Sequence, residues 1–462
     1  MSRRYVAFVA VSIGTRTPRG EARKSGSGGL RVERATTWPL VVWAATVGLG
    51  AVLVYVVLVV PGTKRLNGVP LHATFDPYVA WRTLLPITVL AAAVRVTPRL
   101  RTLSWHRLLG VWWVLGVCWS VALAVARNPH RFIAPLEHRG EYLAVLPEIG
   151  SVGTFLDTFV ERIATYPVHV QGHPPGFVLV AWVLRAVGLG GPLPVAVLVV
   201  VVGTAAIPLV LVCVRDVVGE EWARAAAPFL ALGPAAIWVA TTADAFYTGV
   251  GAAAVTLVVL ATSRRGTRRG GFALAGGIVF GACAMLSYGL VLLAAIPLVV
   301  AFARRAWDAV VIAFAAAAAV IAAAALAGFW WVDGLYATRD RYIAGIASSR
   351  PYALFLVADV SILLLALGPA IAVAVWRLRD RSCWLLVGGA LVALAIADLS
   401  GMSKSEVERI WLPFMSFVVL SAGALARDRT PESVRTLDSG SGWLVLQGGA
   451  AIVLESLVRT AW

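Results

Sequence analysis

Two histidines, His169 and His173, stand four residues apart in the stretch YPVHVQGHPPGFVLV (166–180), and the second opens onto Pro174, Pro175 and Gly176. Side chains at this spacing share one face of a helical turn. Imidazoles there can bind an anion, orient a carboxylate or coordinate a metal. The connector that holds them (127–175) is long for a chain of this kind, and it also carries Glu137, His138, Arg139, Glu141, Glu148, Asp157, Glu161 and Arg162. A long loop with convergent ionisable groups is where function concentrates. Glu141, in RGEYL (139–143), is the candidate general base, because a carboxylate can accept a proton from a hydroxyl held within hydrogen-bond reach. Lys404 and Arg409 in SGMSKSEVERIW (400–411), beside Glu408, and the basic-aromatic set Arg339, Arg341, Tyr342 and Arg350 in the segment 333–350, offer partners for an anion. Arginine suits that task because its planar fork matches phosphate oxygens. Asp76 in TFDPYVAW (74–81) is an alternative base, and Asp244 in TTADAFY (241–247) and Tyr288 are supporting candidates. Both aspartates also fit as simple caps of a following helix.

Those residues must be held by a membrane scaffold. Of the 462 residues, 60% are hydrophobic and only 14% charged. Many runs approach the roughly 20 apolar residues that a bilayer crossing needs. The composition predicts an all-α, polytopic transmembrane bundle and excludes a β-barrel, whose strands alternate instead. About 12–13 spans are expected: 38–61, 77–95, 108–126, 193–214, 224–240, 246–262, 271–287, 288–303, 309–331, 353–376, 382–398, 410–426 and a shorter segment at 442–458 that either spans or lies at the interface. The net charge of +16 is gathered in short clusters between spans, at 95–107, 264–270, 304–305, 377–381 and 427–429. That pattern sets membrane orientation and argues against a nucleic-acid partner. The four cysteines show no metal or disulfide spacing.

Charge parity constrains the topology. With the Arg clusters and the basic N-terminal tail (1–37, read as disordered) in the cytoplasm, 38–107 forms a hairpin. Loop 127–175 then falls outside, 215–224 inside and 241–247 outside. The stretch 173–191 must begin and end on the outer side. It carries Arg185 at its middle, which is costly at the bilayer centre, so it is expected as a helix lying against the outer face. Five histidines map outside: His72, His130, His138, His169 and His173. The remaining helices divide into a core over 108–303, C-terminal spans over 304–426 and a cytoplasmic tail from 427.

With these pieces in order, the chain resembles the GT-C superfamily of integral membrane glycosyltransferases, and within it the protein O-mannosyltransferase and aminoarabinose transferase-like branch of actinobacterial type. The resemblance covers about residues 108–300 and rests on HRGEYLAVLP (138–147), GHPPGFVLVAWVLRAVG (172–188), TTADAFYTGVGAAAVTLVVLA (241–261) and GACAMLSYGLVLLAAIPLVV (281–300), with EVERIWLPF (406–414) as a further similar segment. The chain departs from the family in having two spans before the core, and one carboxylate where the family's first loop has a pair. No soluble domain is expected after the membrane part.

The resemblance implies a GT-C-like core with outer juxtamembrane helices, embedded in the plasma membrane, with its site on the extracytoplasmic side. It implies transfer of a hexosyl or pentosyl unit, usually with inversion, from a polyprenyl-phosphate sugar to a hydroxyl of a glycan, lipid or protein acceptor in the cell envelope. Glu141 then acts as base, while His173, His169, Arg409, Lys404 and Arg341 receive the donor phosphate, supported by Asp244, Glu408, Tyr288 and Asp76. No cofactor is assigned. A divalent metal on Glu141, His173 and Asp244 is chemically compatible, and no ligand spacing commits the sequence to one. The alternative is a transporter or flippase of a lipid-linked sugar, whose polar groups would sit near the bilayer midplane on broken helices in repeated halves.

Overall fold

A computed structural model describes residues 26–59, 71, 73–345, 348, 350–427 and 440–460. The chain divides into two compact units, Met1–Trp38 and Pro39–Trp462. Of the first, residues 26–38 are described and are helical; residues 1–25 of the expected tail, and His72, lie outside the described residues.

Helix α1 (Gly26–Val59) begins in the first unit and ends in the second, which is a helical bundle; there it precedes a three-residue strand β1 (Ala73–Phe75). Then come α2 (Leu84–Leu100) and α3 (Trp105–Ala124). The long connector holds α4 (Ala134–Glu137), α5 (Val152–Asp157) and α6 (Val168–Gln171), and leads into α7 (Gly176–Ala186). The central helices are α8 (Pro192–Thr204), α9 (Ala206–Val217), α10 (Glu220–Ala231), α11 (Ala243–Ser263), α12 (Gly266–Leu286) and α13 (Ala295–Arg304). After them run α14 (Trp307–Leu326), α15 (Trp331–Ala344), α16 (Tyr352–Leu367), α17 (Pro369–Arg377), α18 (Arg381–Leu399), α19 (Val407–Ile410), α20 (Leu412–Val418), α21 (Ala424–Arg427) and α22 (Gly440–Leu457). Strand β2 (Val458–Thr460) closes the described chain by pairing antiparallel with β1.

Among the described residues, seven helices, α8 and α9 counted together, are long and apolar enough to cross a membrane; α16 and α17 make an eighth if their pair counts as one span. The other expected crossings are shorter or interrupted. Those at 288–303 and 410–426 are interrupted by 3-10 turns, Tyr288–Ala294 before α13 and Val419–Gly423 after α20. The α16–α17 pair bends by 98° at Gly368. The break is closed from within by Gln447 of α22, whose amide donates to Leu367 O at 2.6 Å and accepts from Ala370 N at 3.2 Å. Those contacts satisfy backbone groups that the bilayer could not.

Helix α11 forms the centre. Its packing against α8 depends on Gly249: a Cβ there would stand 1.9 Å from Val202 O. Small residues let membrane helices approach this closely. Helix α14 sits at the periphery, with Leu326 92% exposed, as expected of a surface turned to lipid. Asp216 binds Arg304 at 2.7 Å and Arg264 at 3.2 Å, and Ser263 donates to it at 2.8 Å. Three of the segments assigned by charge to one side (215–224, 264–270 and 304–305) therefore meet in one ionic cluster. Asp244 opens α11 and Ser263 closes it, so this cluster lies roughly 30 Å from Asp244 along the helix.

Helix α7 has eleven residues, or roughly 16 Å, too short to cross a bilayer. Pro175 is its N-cap. Gly176 seats it: a Cβ at that position would stand 2.3 Å from Met285 O at the end of α12. Helix α22 is packed into the bundle, with Trp443, Gln447 and Ala451 fully buried. Arg127 anchors its end by donating to Glu455 O, Ser456 O and Val458 O.

Candidate active site

The site forms where the long connector folds back over the ends of α11 and α18. After α3, Asn128 accepts from His130 N and turns the chain. Glu141 then takes an extended conformation (φ −94°, ψ 170°) just before a 3-10 turn over Tyr142–Glu148. Its N–H donates to His138 O at 3.0 Å. The second half of the connector is tied to the first because His169 N donates to Gly140 O at 3.1 Å. These backbone bonds hold Glu141 and His169 side by side, with His169 Nε2 3.4 Å from Glu141 Oε1.

Arg409 completes the group. Its Nη1 meets Asp244 Oδ2 at 2.5 Å and its Nη2 meets Glu406 Oε2 at 2.5 Å. Nη2 also lies 3.4 Å from His169 Nδ1. Asp244 therefore serves as an ion-pair partner; it is not the cap of α11, whose N-cap is Thr242. His173 stacks edge-on against Tyr142, and its Nδ1 lies 2.8 Å from His169 O. A carbonyl only accepts, so His173 carries its proton on Nδ1. Below them Tyr247 donates to the Tyr142 hydroxyl at 3.1 Å.

Burial shapes the electrostatics. It pushes the Glu141 carboxyl from its ordinary 4.5 up to about 7, against the pull of the Arg409 charge. Burial, reinforced by the Arg409 charge, holds His169 well below its usual value. Burial also lowers His173. Near neutral pH the site thus holds neutral imidazoles and a carboxyl poised between its two forms, the condition suited to a general base.

Glu141, His169, His173, Asp244, Tyr247, Glu406 and Arg409 all line one cavity of about 1240 Å³. Lys404, Arg350, Arg341 and Tyr342 line it on one side. Lys404 Nζ donates to Arg350 O at 3.0 Å, Arg350 donates to Lys404 O, and Arg341 donates to Gln171 Oε1 at 3.1 Å. Tyr288 and Thr338 line it as well. The chain also contributes an apolar wall of Leu290, Val291, Leu292, Ile396 and Phe414. Val291 and Ile396 are 39% and 48% exposed, so this wall continues onto the outside of the bundle.

The fold thus brings Glu141, His169, His173, Asp244, Tyr288, Arg341, Lys404 and Arg409 to one cavity. Two further candidates take other roles, one away from the cavity and one at its edge. Glu408 is fully buried and is absent from the cavity lining; Glu406, three residues before Arg409, is the carboxylate that meets it. The i, i+3 spacing was the available signal, since such residues share a helical face, but it does not separate two glutamates in so short a segment. Asp76 lines the cavity as part of a clamp, bonded through its carboxylate to Arg127 at 3.3 Å and through its carbonyl at 2.7 Å. It follows β1 and caps no helix. Asp359, which accepts from Ser405 N at 3.0 Å, and the Tyr142–Tyr247 pair carried no sequence signal.

Among the described residues, no three His, Cys, Asp or Glu side chains are grouped to hold a metal ion. Asp244 faces Arg409, and His173 Nδ1 faces a carbonyl. The residues present therefore do not form a preassembled metal site.

No family model matches the chain, and no curated protein matches it by sequence. Among solved structures, an oligosaccharyltransferase of Archaeoglobus fulgidus, crystallised as a complex with Zn and sulfate, aligns with a TM-score of 0.46 and 15% identity. The alignment covers 76% of this chain and 53% of that one, so the chain spans about half the length of that protein.

Proposed function

We propose that the protein is a membrane glycosyltransferase of GT-C type that moves a sugar from a polyprenyl-phosphate donor to an acceptor hydroxyl on the extracytoplasmic side of the plasma membrane. One observation carries this reading. A buried carboxyl at about 7, Glu141, shares a cavity with buried Arg409, and the cavity's apolar wall runs out onto the surface of a helical membrane bundle. That combination fits a substrate with a prenyl tail, an anionic phosphodiester and a reacting carbon between them.

In the reaction, the acceptor oxygen forms a bond to the anomeric carbon while the carbon–oxygen bond to phosphate breaks. The electron pair leaves with the lipid phosphate, and the acceptor proton passes to Glu141. Attack opposite to departure inverts the anomeric centre. Arg409, with Lys404, Arg350 and Arg341 on the same side, stabilises the charge growing on the phosphate. Both Arg409 terminal nitrogens already hold carboxylates, which compete with the donor phosphate for the fork. Glu406 is the one that yields: its side chain is 22% exposed against 5% for Asp244. It also sits in a left-handed conformation (φ 62°) beside a second such residue, Ser405 (φ 71°), a strain of about 1–3 kcal/mol each.

A transporter would use the broken span, but Gln447 closes that break and the residues around it do not line the cavity. The test is a transfer assay in membranes containing the full chain, using a panel of radiolabelled polyprenyl-phosphate sugars. Transfer from at least one donor is expected, and label that crosses a vesicle membrane without transfer would favour the transporter instead.

A further inference from the structure

His169 touches both Arg409 and Glu141, and the two contacts impose a direction on its proton. A guanidinium nitrogen can only donate. Arg409 Nη2 therefore requires a lone pair on His169 Nδ1, 3.4 Å away. A neutral ring with a bare Nδ1 carries its proton on Nε2, and Nε2 is the atom 3.4 Å from Glu141 Oε1. The other tautomer would set two N–H groups against each other. So would the imidazolium, in a pocket where the His169 side chain is only 11% exposed.

From this geometry we infer that Arg409 locks His169 as the Nε2–H tautomer, making His169 a positioning residue that donates to the Glu141 carboxylate and holds it ionised and aimed for proton transfer. This assignment rests on the glycosyltransferase reading and deepens it. It moves His169 from the phosphate-binding set to the base.

The neighbours agree with it. From its own segment, His169 faces His173, whose Nδ1 proton is committed to His169 O. From the connector it faces Glu141, the Tyr142 ring at 6.3 Å and the more distant His138. From the 400–411 segment come Arg409 and Glu406, and Asp244 of α11, which keeps its hold when Glu406 yields, fixes the Arg409 fork in place. A carboxyl protonated on the oxygen facing Nε2 would meet another proton there. The arrangement thus favours the carboxylate in the face of burial, and the lone pair that receives the acceptor proton stays on the cavity side.

The experiment has two arms. In the first, full-length protein in lipid nanodiscs carries ring-¹⁵N histidine, and the His169 signals are identified by comparison with His169→Gln. A bare Nδ1 and a protonated Nε2 from pH 6 to 8 are expected; a protonated Nδ1 or an imidazolium in that range overturns the assignment. Arg409→Lys, which keeps a donor, should keep the tautomer, whereas Arg409→Met should release it. In the second arm, transfer is followed against pH. His169→Gln, whose amide can still donate to Glu141, should retain most of the rate. His169→Leu should lower kcat by on the order of 10²-fold, with little change in donor KM, and should move the acidic limb to higher pH. A raised KM with an unmoved limb would make His169 a donor contact and overturn the positioning role. If the wild type transfers no sugar while the Nε2–H form is observed, the tautomer stands and the enzymatic reading fails.

Discussion

The elevated Glu141 carboxyl has a thermodynamic consequence that needs no knowledge of the substrate. In the folded protein its proton is held up to about 7, against an ordinary 4.5 in the unfolded chain, and burial is the main cause. At about 1.4 kcal/mol per pH unit, the charged form is disfavoured on folding by roughly 3 kcal/mol. The sign follows from proton binding. Between 4.5 and 7 the folded state binds the proton and the unfolded state does not, so stability falls as pH rises through that window. Above 7 the full penalty remains. Glu141→Gln removes the titration and keeps a neutral side chain of the same shape. Relative to wild type, the variant should therefore gain up to roughly 3 kcal/mol on going from pH 4.5 to pH 8. For a chain of this length that is a difference of roughly 3 °C in melting temperature. Thermal unfolding of both proteins in the same detergent or nanodisc, at half-unit steps of pH, measures it. Parallel wild-type and Glu141→Gln curves across the window would refute the reasoning, because folding would then leave the proton affinity of the carboxyl unchanged.

Other changes have equally definite expectations. Arg409→Met leaves Asp244 and Glu406 facing each other without their cation, a loss of about 3–5 kcal/mol, whereas Arg409→Lys should recover much of the stability but little of any phosphate recognition that depends on a fork; thermal unfolding and donor KM separate the two. Glu406→Gln weakens the internal competitor for Arg409, so donor KM should fall severalfold with kcat little changed, and a higher KM would show that Glu406 organises the arginine instead of yielding it. Gln447→Leu strips the α16–α17 break of both its hydrogen bonds and should destabilise the fold by about 2–4 kcal/mol, read as a lower melting temperature, while leaving the residues of the cavity in place.

The helices were largely legible because apolar length and charge clusters are local properties. Each expected crossing has a helical counterpart, and the segment expected not to cross contains the short α7. The interruptions were not legible. Gly368 becomes a break because Gln447, some eighty positions later, caps it, and no local pattern encodes that partner. The same limit applies to the cavity. Glu141, His169, Asp244 and Arg409 each stood out by type and place, but the Arg409–Asp244 pair joins residues 165 positions apart. The choice of Glu406 over Glu408, and the Asp76–Arg127 clamp, arise from such long-range contacts. Helix α22 and the β1–β2 pair illustrate the point at larger scale: a segment of uncertain placement in the sequence proves to be a packed helix, secured by an arginine of the long connector.

The most direct test of the central claim is transfer by the intact protein and by Glu141→Gln, side by side in membranes, from the polyprenyl-phosphate sugar that the wild type accepts. The account predicts transfer by the wild type with an acidic limb near pH 7, and a loss on the order of 10²-fold or more in the variant with donor binding retained. Full transfer by Glu141→Gln would contradict it.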